Sequence, residues 1–480
     1  MAGALHDWSI VHAGSGVYWS HGFATGIAST QAYPLRGKRV LVYGAAGSIG
    51  TAAVQLLAHH FEAEVTRFVG SRRAMLGIGR YRKEDLVLVK ELVDAGTYRP
   101  VIDRNRFLVT RGPKHRHIEE MSEPERVDVV VVGGGQAGLA IGYHLARRGL
   151  RFVILEAHAR VGDSWRTRWD SLRVFTPARW DALPGLPFPA PPRSFPSKDQ
   201  MADYFELYAA TFELPVVTGV KVDRLQPAGD DGYLVAAADA SWLAPQVVVA
   251  TGAYSEPRIP DFASALDAGI LQLHSSEYRN PGQLRAGGVL VVGASNSGAE
   301  VALDVAREHP VWLSGRDPGN LPIDINSRLY QVFGRVMSFL GSRVLTVRTP
   351  IGRKVRPIMR SRGGPLVRVK RAHLREAGVK RVVARTVGVR DGLPLLDDGQ
   401  VLDVANIIWC TGFAHGVDWI EVPIARENGW PRESRGVVPS APGLYFIGLP
   451  FLYSVNSSLV VGVGHDAAYL ADRIALRAAA

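Results

Sequence analysis

The sequence predicts an α/β protein with two interleaved doubly wound parallel sheets, preceded by a partial sheet of the same kind. Three stretches carry this prediction, because in each a short β-branched run leads through closely spaced glycines into a helix of apolar periodicity. The first glycines of these stretches are Gly44, Gly133 and Gly293. Two strand-to-Thr-Gly segments, at 247–260 and 406–413, mark where the chain would leave one sheet and return to it.

The composition excludes several classes of protein. Of the 480 residues 47% are hydrophobic, but no apolar run approaches the roughly 18–20 residues of a membrane helix. The first residues lack the basic and apolar regions of a signal peptide, so we expect a cytoplasmic protein without an integral membrane segment. The single cysteine, Cys410, excludes an intramolecular disulfide, a CxxC redox pair and a cysteine-rich zinc site. His115 and His117 lie in a polar linker, so no metal site is predicted.

The net charge of +11 is concentrated in one segment. Residues 343–390 hold fifteen Lys or Arg residues and one acidic residue, Glu376. Such a segment can attract anionic cofactors, acidic membranes or nucleic acid. No aromatic residue interleaves its charges and no nucleic-acid motif accompanies it, which favours a solvated basic face near an anionic cofactor.

The second glycine stretch carries the strongest signal for nucleotide binding. The run Val129–Val132 predicts a buried strand, and Gly133, Gly135 and Gly138 follow it as G-x-G-x-x-G. The first glycine permits a tight turn, the second lets a pyrophosphate approach the backbone, and the third lets helix and strand pack closely. The next predicted strand ends in Glu156, whose carboxylate can accept hydrogen bonds from a ribose diol of either FAD or NAD.

The third glycine stretch has the form G-A-S-N-S-G, from Gly293 to Gly298, with Ser295 in place of the middle glycine. Its next predicted strand ends in Ser314, followed by Gly315 and Arg316. A carboxylate at that position would repel a 2′-phosphate, whereas the Arg316 guanidinium can donate two hydrogen bonds to one. The sequence therefore favours NADPH over NADH at this stretch.

The segment after Glu156 indicates which nucleotide the second glycine stretch binds. Gly162, Trp165, Arg166 and Trp169 precede a proline-rich segment. In this pattern the chain resembles the FAD-dependent, flavin-containing monooxygenase-like family, and most closely a group described as flavoproteins involved in potassium transport. The G-A-S-N-S-G form resembles the NADPH fingerprint of the same family. The resemblance implies that FAD binds the second stretch and that an NADPH domain is inserted into the FAD domain.

The resemblance also implies a set of cofactor-binding residues, and it implies neither a catalytic side chain nor a metal ligand. The expected cofactor contacts are Gly133, Gly135, Gln136, Ala137, Gly138, Glu156, Gly162, Trp165, Arg166, Val222, Ala250, Thr251, Gly252, Gly293, Ser295, Asn296, Ser297, Gly298, Ser314, Arg316, Thr411 and Gly412.

The domain boundaries follow from the three glycine stretches and from the two strand-to-Thr-Gly segments. We call 247–260 the outgoing joint and 406–413 the return joint. The predicted parts are an unassigned segment 1–35, a partial fragment 36–110, a linker 111–126, a first FAD-binding part 127–255, an NADPH-binding domain 256–404 and a second FAD-binding part 405–480.

A motif before the NADPH domain separates the subtypes of this family. Flavin-containing monooxygenases carry F-x-G-x-x-x-H-x-x-x-Y/F, and this chain reads AGILQLHSSEY. His274 and Tyr278 match, whereas Ala268 and Ile270 replace the first two motif residues. Baeyer–Villiger enzymes have tryptophan at the last position, so Tyr278 argues against that subtype.

The resemblance implies hydride transfer from NADPH to FAD and then O₂ activation at the flavin C4a, with O₂ and a small lipophilic molecule as substrates. The substrate pocket is expected near Trp165, Phe175 and Phe451. The family usually carries an asparagine over the flavin, where this chain has Thr176 and Pro177. An NADPH oxidase that releases H₂O₂ without oxygenation, and a flavin-binding regulator without enzymatic activity, therefore remain alternatives. No nucleic-acid partner is expected, and the oligomeric state is left open.

The first glycine stretch resembles the nucleotide-binding strand and helix of medium-chain, quinone-oxidoreductase-like dehydrogenases. A second segment, 83–107, resembles a part of that family near its C-terminus. The residues between and before these segments are too few for the rest of such an enzyme. We interpret 36–110 as a remnant, with NADP(H) binding through Gly44, Gly47 and Gly50, and Arg72 or Arg73 on the phosphate, as the alternative.

Overall fold

The computed structural model describes residues 123–479, apart from 239, 255, 326, 362–363, 415 and 428, together with five strands nearer the N-terminus. The chain divides into two units, Met1–Glu119 and Glu120–Ala480. Within the described residues, no helix combines the length and the apolar character that crossing a membrane requires.

The described part of the N-terminal unit consists of a small sheet and a hairpin. Its strands are β1 (Trp8–His12), β2 (Arg39–Tyr43), β3 (Glu64–Phe68), β4 (Pro100–Asp103) and β5 (Arg106–Val109). Strand β2 lies between β1 and β3, parallel to both, while β4 and β5 pair antiparallel. The glycines after β2 and the arginines at 72 and 73 lie outside the described residues. A nucleotide site in this unit therefore stays a prediction.

The larger unit contains twenty strands and eight α-helices among its described residues. The strands are β6 (Glu125–Arg126), β7 (Val129–Val132), β8 (Phe152–Glu156), β9 (Val216–Thr218), β10 (Val222–Pro227), β11 (Tyr233–Ala237), β12 (Ala240–Ala244), β13 (Gln246–Val249), β14 (Glu256–Pro257), β15 (Leu271–His274), β16 (Val289–Val292), β17 (Val311–Ser314), β18 (Lys380–Val382), β19 (Thr386–Arg390), β20 (Leu393–Leu396), β21 (Asn406–Trp409), β22 (Phe413–Ala414), β23 (Arg426–Glu427), β24 (Trp430–Pro431) and β25 (Leu444–Phe446). The helices are α1 (Gln136–Ala146), α2 (Asp163–Arg166), α3 (Lys198–Thr211), α4 (Asn296–Val305), α5 (Arg328–Arg343), α6 (Pro350–Ser361), α7 (Arg371–Glu376) and α8 (Val460–Ala478).

The first large sheet is parallel, in the order β25-β13-β7-β8-β9. Strand β7 is valine throughout and buried throughout, because a parallel sheet is covered on both faces. Alternate side chains point to opposite faces, so Val129 and Val131 pack in the cluster that includes helices α1 and α8. Val130 and Val132 pack in the cluster that includes the smaller sheet β10-β11-β12-β6.

The second large sheet is also parallel, in the order β15-β21-β16-β17-β18. Val289 and Val291 of β16 pack in the cluster that includes helix α4, and Leu290 lies on the other face with the fully buried Trp409. Strand β21 therefore belongs to this sheet. The prediction that the chain has already returned to the FAD domain at residue 405 is wrong, since the return follows Trp409. The error arose because a buried apolar strand does not show in its sequence which sheet it joins.

Both sheets are Rossmann-like, and their strands interleave along the chain in the arrangement expected of a nucleotide domain inserted into another. The two crossings run side by side, because β14 on the way out pairs antiparallel with β22 on the way back. The proline-rich segment 177–199 is largely irregular, apart from a short turn at Ala178–Trp180. Helix α3 begins where the Ser197 side chain accepts a hydrogen bond from the Gln200 N–H in a capping box.

Two of the buried carboxyl groups in this unit, Asp181 and Asp466, have a strongly raised pKa. Asp181 follows the short turn and is 1% exposed, and the Thr176 hydroxyl donates a hydrogen bond to its Oδ1. Its Oδ2 finds no hydrogen-bond partner among the described residues. Burial raises the pKa of Asp181 to about 7. Asp466 of α8 is equally enclosed, and burial raises its pKa to about 7 although Ser457 donates a hydrogen bond to it.

The raised pKa of Asp181 predicts a stability that falls with pH. Because the folded pKa lies above that of an unfolded aspartate, the folded state holds an extra proton between about pH 4 and pH 7. The free energy of unfolding therefore decreases across that window, by about 2–4 kcal/mol, and is level above it. An Asp181→Asn variant removes this contribution. Its melting temperature relative to wild type should rise from pH 5 to pH 8.

Thermal unfolding followed by circular dichroism at several pH values measures this difference. Asp398→Asn, at an exposed position, is the matched control and should show a constant difference from wild type. A melting-temperature difference for Asp181→Asn that does not change with pH would contradict the assignment.

Candidate nucleotide sites

The Gly133 loop, residues 133–138, joins β7 to α1 at the carboxyl end of the first sheet. Gly133 has φ 111°, and a Cβ there would lie 2.6 Å from the Ala250 carbonyl oxygen. A Cβ on Gly138 would lie 1.8 Å from the Gly133 carbonyl oxygen. Both positions therefore require glycine, for a positive φ in one case and for close helix packing in the other.

Gly135 differs from the other two glycines, because a Cβ there would have no atom within 4 Å. The packing of the protein thus does not require glycine at this position. Gly135 is also the N-cap of α1, and no side chain caps the first N–H groups of that helix, which begins beside this open space. Open space beside helix N–H groups fits a pyrophosphate, which is the role predicted for this glycine.

The Glu156 carboxylate, at the end of β8, is held beside this loop. The Gly134 N–H donates to its Oε2 at 2.7 Å, and the His158 N–H donates to its Oε1 at 2.9 Å. Burial opposes ionisation, but the hydrogen bonds from His158 and Gly134 outweigh it and leave the pKa of Glu156 below its ordinary value. The His158 ring nitrogen Nδ1 lies 2.5 Å from the same Oε1, and this hydrogen bond raises the pKa of His158.

His158 was not predicted, although its position two residues after the acid is a usable signal. The chain bends directly after Glu156, and this bend brings the His158 ring back to the carboxylate. The pair makes the end of β8 an ionised and oriented hydrogen-bond acceptor.

Other predicted FAD contacts are engaged with the protein itself. The Gln136 side chain donates to the Ser458 carbonyl at 2.7 Å, which ties α1 to the start of α8. The Arg166 guanidinium forms ion pairs with Asp203 and Glu206, both at 2.8 Å, and so fixes α2 against α3.

Four more of the predicted FAD contacts have packing roles within the protein. Gly162 has φ 86° and begins α2, while the Trp165 ring lies edge-on to Phe205 at 6.3 Å between centroids. Ala137 is buried within α1, and Val222 lies half-buried at the start of β10 in the smaller sheet. Structure thus accounts for these four residues by packing.

The Gly293 loop, residues 293–298, repeats the geometry of the Gly133 loop in the second sheet. Gly293 has φ 107°, and a Cβ there would lie 2.2 Å from the Cys410 carbonyl oxygen. A Cβ on Gly298 would lie 1.7 Å from the Gly293 carbonyl oxygen. Gly293 therefore requires glycine for its positive φ, and Gly298 requires it for the close approach of the helix.

The polar side chains of the Gly293 loop hold a neighbouring segment, 364–367, which was not predicted. The Ser295 hydroxyl donates to the Gly364 carbonyl at 3.1 Å. The Asn296 side chain donates to the Pro365 carbonyl at 3.0 Å and accepts from the Val367 N–H at 2.9 Å. Ser297 is exposed in the first turn of α4. The basic segment 343–390 thereby borders the Gly293 loop.

The residues at the end of β17 divide into buried and exposed groups. Ser314 is buried, and its hydroxyl donates to the Ala384 carbonyl at 2.9 Å. The Arg381 guanidinium donates to the carbonyls of Leu313, Val382 and Gly315, and burial lowers its pKa. Arg381, which sequence reasoning missed, therefore orders the backbone from which Arg316 projects.

Arg316 is exposed, and it has no ion-pair partner among the residues that the structure describes. The neighbouring Asp317 carboxylate is paired with Arg371. The Gly319 N–H and the Arg371 guanidinium lower the pKa of Asp317. The carboxylate that follows Arg316 in the chain is thus balanced, which leaves the Arg316 guanidinium available to an anion such as a 2′-phosphate.

The two joints between the domains bring together the residues of the subtype motif. The His274 ring is fully buried, and its Nε2 lies 3.0 Å from the Gly412 carbonyl oxygen. The Arg258 N–H donates to the same carbonyl at 3.0 Å, and the Thr411 hydroxyl donates to the Arg258 carbonyl. Burial lowers the pKa of His274, so the ring is neutral at neutral pH.

Tyr278, the other matching motif residue, is fully buried, and its hydroxyl donates to Asp304 Oδ2 at 2.9 Å in helix α4. On the outgoing joint, the Ala250 N–H donates to the Val132 carbonyl at 2.8 Å, and Gly252 has φ 72°. Thr251 is half-exposed between them. Of the two retained motif residues, His274 thus holds the return joint, whereas Tyr278 holds helix α4 within the second domain.

The cysteine lies inside the return joint, where it is partly buried. Cys410 packs against the core of the second sheet, and burial raises the pKa of its thiol to about 12. A thiol with that pKa is protonated and unreactive at neutral pH. Among the described residues, no group of three or more potential ligands could hold a metal ion.

Comparison with known proteins agrees with this arrangement. Residues 130–330 match the family described as pyridine nucleotide-disulphide oxidoreductase. An oxidoreductase of Geobacillus kaustophilus named CzcO-like is 37% identical over 350 residues, which are 72% of this chain and 98% of the relative.

Two solved structures extend the comparison. A flavin-containing monooxygenase from Stenotrophomonas maltophilia superposes with a TM-score of 0.59 at 27% identity, over 74% of this chain and 99% of that one. OTEMO, solved in complex with FAD and NADP, superposes with a TM-score of 0.54 over 74% of this chain and 86% of its own, and at 16% identity it shows the fold alone. The chain therefore belongs to the flavin monooxygenase-like family of oxidoreductases that includes the CzcO-like proteins.

Proposed function

We propose that this protein is an FAD-dependent, NADPH-consuming monooxygenase that acts on a small lipophilic substrate. The observation that carries the proposal is the contrast between two glycine loops of like geometry. One loop lies beside the ionised Glu156 carboxylate, and the strand next to the other loop leads into the exposed Arg316 guanidinium. The first suits a ribose diol and the second a 2′-phosphate. The family membership supports the same assignment.

The residues of the chain have distinct tasks in this proposal. The N–H groups at the start of α1 would hold the pyrophosphate of FAD, and Glu156 would orient its adenosine ribose. Arg316 would bind the 2′-phosphate of NADPH. When bound, the flavin supplies hydride acceptance from NADPH and the reaction with O₂ that places one oxygen atom on the substrate.

A second candidate function has a specific observation in its favour. The Thr176 hydroxyl, in the segment that would lie over the flavin, is bound to the Asp181 carboxylate. It replaces an asparagine amide that the family resemblance leads one to expect, and Pro177 beside it has no N–H to offer. An NADPH oxidase that releases H₂O₂ is therefore the alternative.

The glycine pattern gives a test of FAD binding. Gly135→Ala should fold as wild type does but bind FAD at least about tenfold more weakly, because its methyl group would occupy the open space assigned to the pyrophosphate. Gly138→Ala should instead lower the melting temperature, because its Cβ would lie 1.8 Å from the Gly133 oxygen. Flavin absorbance and fluorescence after refolding with FAD measure the first effect.

Gly388→Ala is the matched control, since a Cβ there also meets open space but lies far along the chain from both loops. It should change neither flavin content nor melting temperature. Normal FAD affinity in Gly135→Ala would refute the assignment of the Gly133 loop.

The exposed guanidinium gives a test of coenzyme choice. Arg316→Ala should raise the KM for NADPH by about 10–100-fold, the value of a lost charge-assisted pair. The KM for NADH should hardly change, because NADH has no 2′-phosphate. Arg375→Ala, at an exposed arginine of the basic segment 343–390, should leave both constants as they are. Equal changes for the two coenzymes would place the 2′-phosphate elsewhere.

The reaction itself is tested by accounting for oxygen. NADPH added without air should bleach the flavin absorbance. On admission of O₂ with a panel of lipophilic substrates, a monooxygenase yields oxygenated product and less H₂O₂ than the O₂ consumed. An oxidase returns H₂O₂ equal to the O₂ consumed with every substrate. A flavin that NADPH does not bleach would overturn both functions and favour a non-enzymatic flavoprotein.

A further inference from the structure

The strongest feature that the nucleotide sites do not use is the pair of consecutive helices α5 and α6. Residues 328–361, which span this helix pair, contain eight Lys or Arg residues and no Asp or Glu residue. The same helices expose large apolar side chains. A surface that is both cationic and apolar is unusual for a face in contact with water alone.

Helix α6 is oriented by the arginines on its inner face. The Arg356 and Arg360 guanidinium groups both pair with Glu433, whose side chain is fully buried. They also donate to backbone carbonyls, Arg356 to Phe451 at 3.2 Å and Arg360 to Pro450 at 2.9 Å. A Cβ on Gly352, on the same face, would lie 1.9 Å from the Thr346 carbonyl oxygen. The spacing of these three residues by four along the helix marks the inner face.

The opposite side of α6 therefore turns its apolar residues outward. Ile351 is 57% exposed, and Ile358, two turns later on the same side of the helix, is 54% exposed. Exposed cations, Arg353 and Lys354, lie beside them. The helix thus has the composition of an amphipathic segment, but its apolar stripe faces away from the protein core.

Helix α5 adds a second exposed apolar group. Phe339 is 62% exposed, and Val336, three residues earlier and so on the same helix face, is also exposed. Arg343, at the end of this helix, is exposed as well. A large apolar surface left in water costs free energy, so an occupant that covers it and neutralises its charge is expected.

Charge complementarity identifies the occupant. We propose that the α5–α6 helix pair binds the surface of an anionic lipid bilayer, with Phe339 and Ile351 inserted among the acyl chains. Lysine and arginine beside an inserted apolar stripe are what an interfacial helix needs for anionic headgroups. A second copy of the chain is a poorer occupant. A symmetric contact would set the same cations against one another.

Flotation with vesicles tests the proposal on the full-length protein. We expect flotation with vesicles of phosphatidylcholine mixed with phosphatidylglycerol, little flotation with phosphatidylcholine alone, and loss of binding in high salt. The double variant Phe339→Ser/Ile351→Ser should lower the partition coefficient by about tenfold or more. Lys354→Glu should lower it by about tenfold, because it replaces an attraction by a repulsion.

Two variants serve as matched controls. Leu476→Ser removes an exposed leucine of helix α8, and Lys221→Glu reverses an exposed charge near β10. Both should bind vesicles as wild type does, and all variants should keep the wild-type melting temperature. Absence of flotation would overturn the proposal, as would binding that the double variant does not weaken. So would a dimer, seen by analytical ultracentrifugation, that the double variant dissociates, since the apolar face would then be covered by a second copy.

Discussion

The constraint on which the rest of the structure depends is the contact between a helix and the strand end that precedes it. In both large sheets the helix after the glycine loop comes so close that a single Cβ would collide with a carbonyl oxygen, at Gly138 and at Gly298. This approach directs the first N–H groups of α1 and α4 toward the carboxyl edge of each sheet. Each glycine loop makes a second contact, with the end of the neighbouring strand in its sheet. The first glycine lies against the Ala250 carbonyl in one sheet and against the Cys410 carbonyl in the other, and this contact closes the crevice beside the loop.

That closing contact also explains why the chain crosses between its sheets where it does. The strands that supply the two carbonyls, β13 and β21, are the ones after which the chain leaves the first sheet and returns to it. Each loop is thus completed by a residue far from it in sequence. His274 stabilises this junction through the Gly412 carbonyl, while Tyr278 fixes the neighbouring helix α4 through Asp304. Their retention in a half-matched motif has a structural reason that does not depend on the subtype of reaction.

The parts of the site that the sequence could predict are those fixed by local geometry. The glycines of both loops and Glu156 could be recognised because strand, turn and helix follow one another without interruption. Arg381 could not, since it reaches its carbonyl acceptors across the sheet from β18. The anchoring of Ser295 and Asn296 to the segment 364–367 depends on a separation of about seventy residues. A fingerprint predicts that such polar residues face a ligand, and only the folded chain shows that they bind a loop.

The ion pairs of Arg166 are another part of the first domain that the sequence could not predict. Arg166 lies in the pattern expected over a flavin, yet its guanidinium is surrounded by Asp203, Glu206 and the backbone of the preceding turn. Two acidic residues, three positions apart on α3 and about forty positions from Arg166, create that environment. Nothing near Arg166 in the sequence indicates it. The prediction for Arg166 as a cofactor contact stays a prediction, with a structural role already visible.

Electrostatics then separates two loops that backbone geometry alone leaves equivalent. Each crevice has the same turn, the same helix approach and the same closing carbonyl, so either could accept a dinucleotide pyrophosphate. The difference lies one strand away, where the ionised Glu156 would repel a 2′-phosphate and the exposed Arg316 would attract one. The pairing of Asp317, the next residue in the chain, with Arg371 weakens the opposition of its carboxylate to this attraction. Under the proposed function, the direction of hydride transfer between the domains is thus determined by two charges outside the reacting region, because they determine which nucleotide each crevice holds.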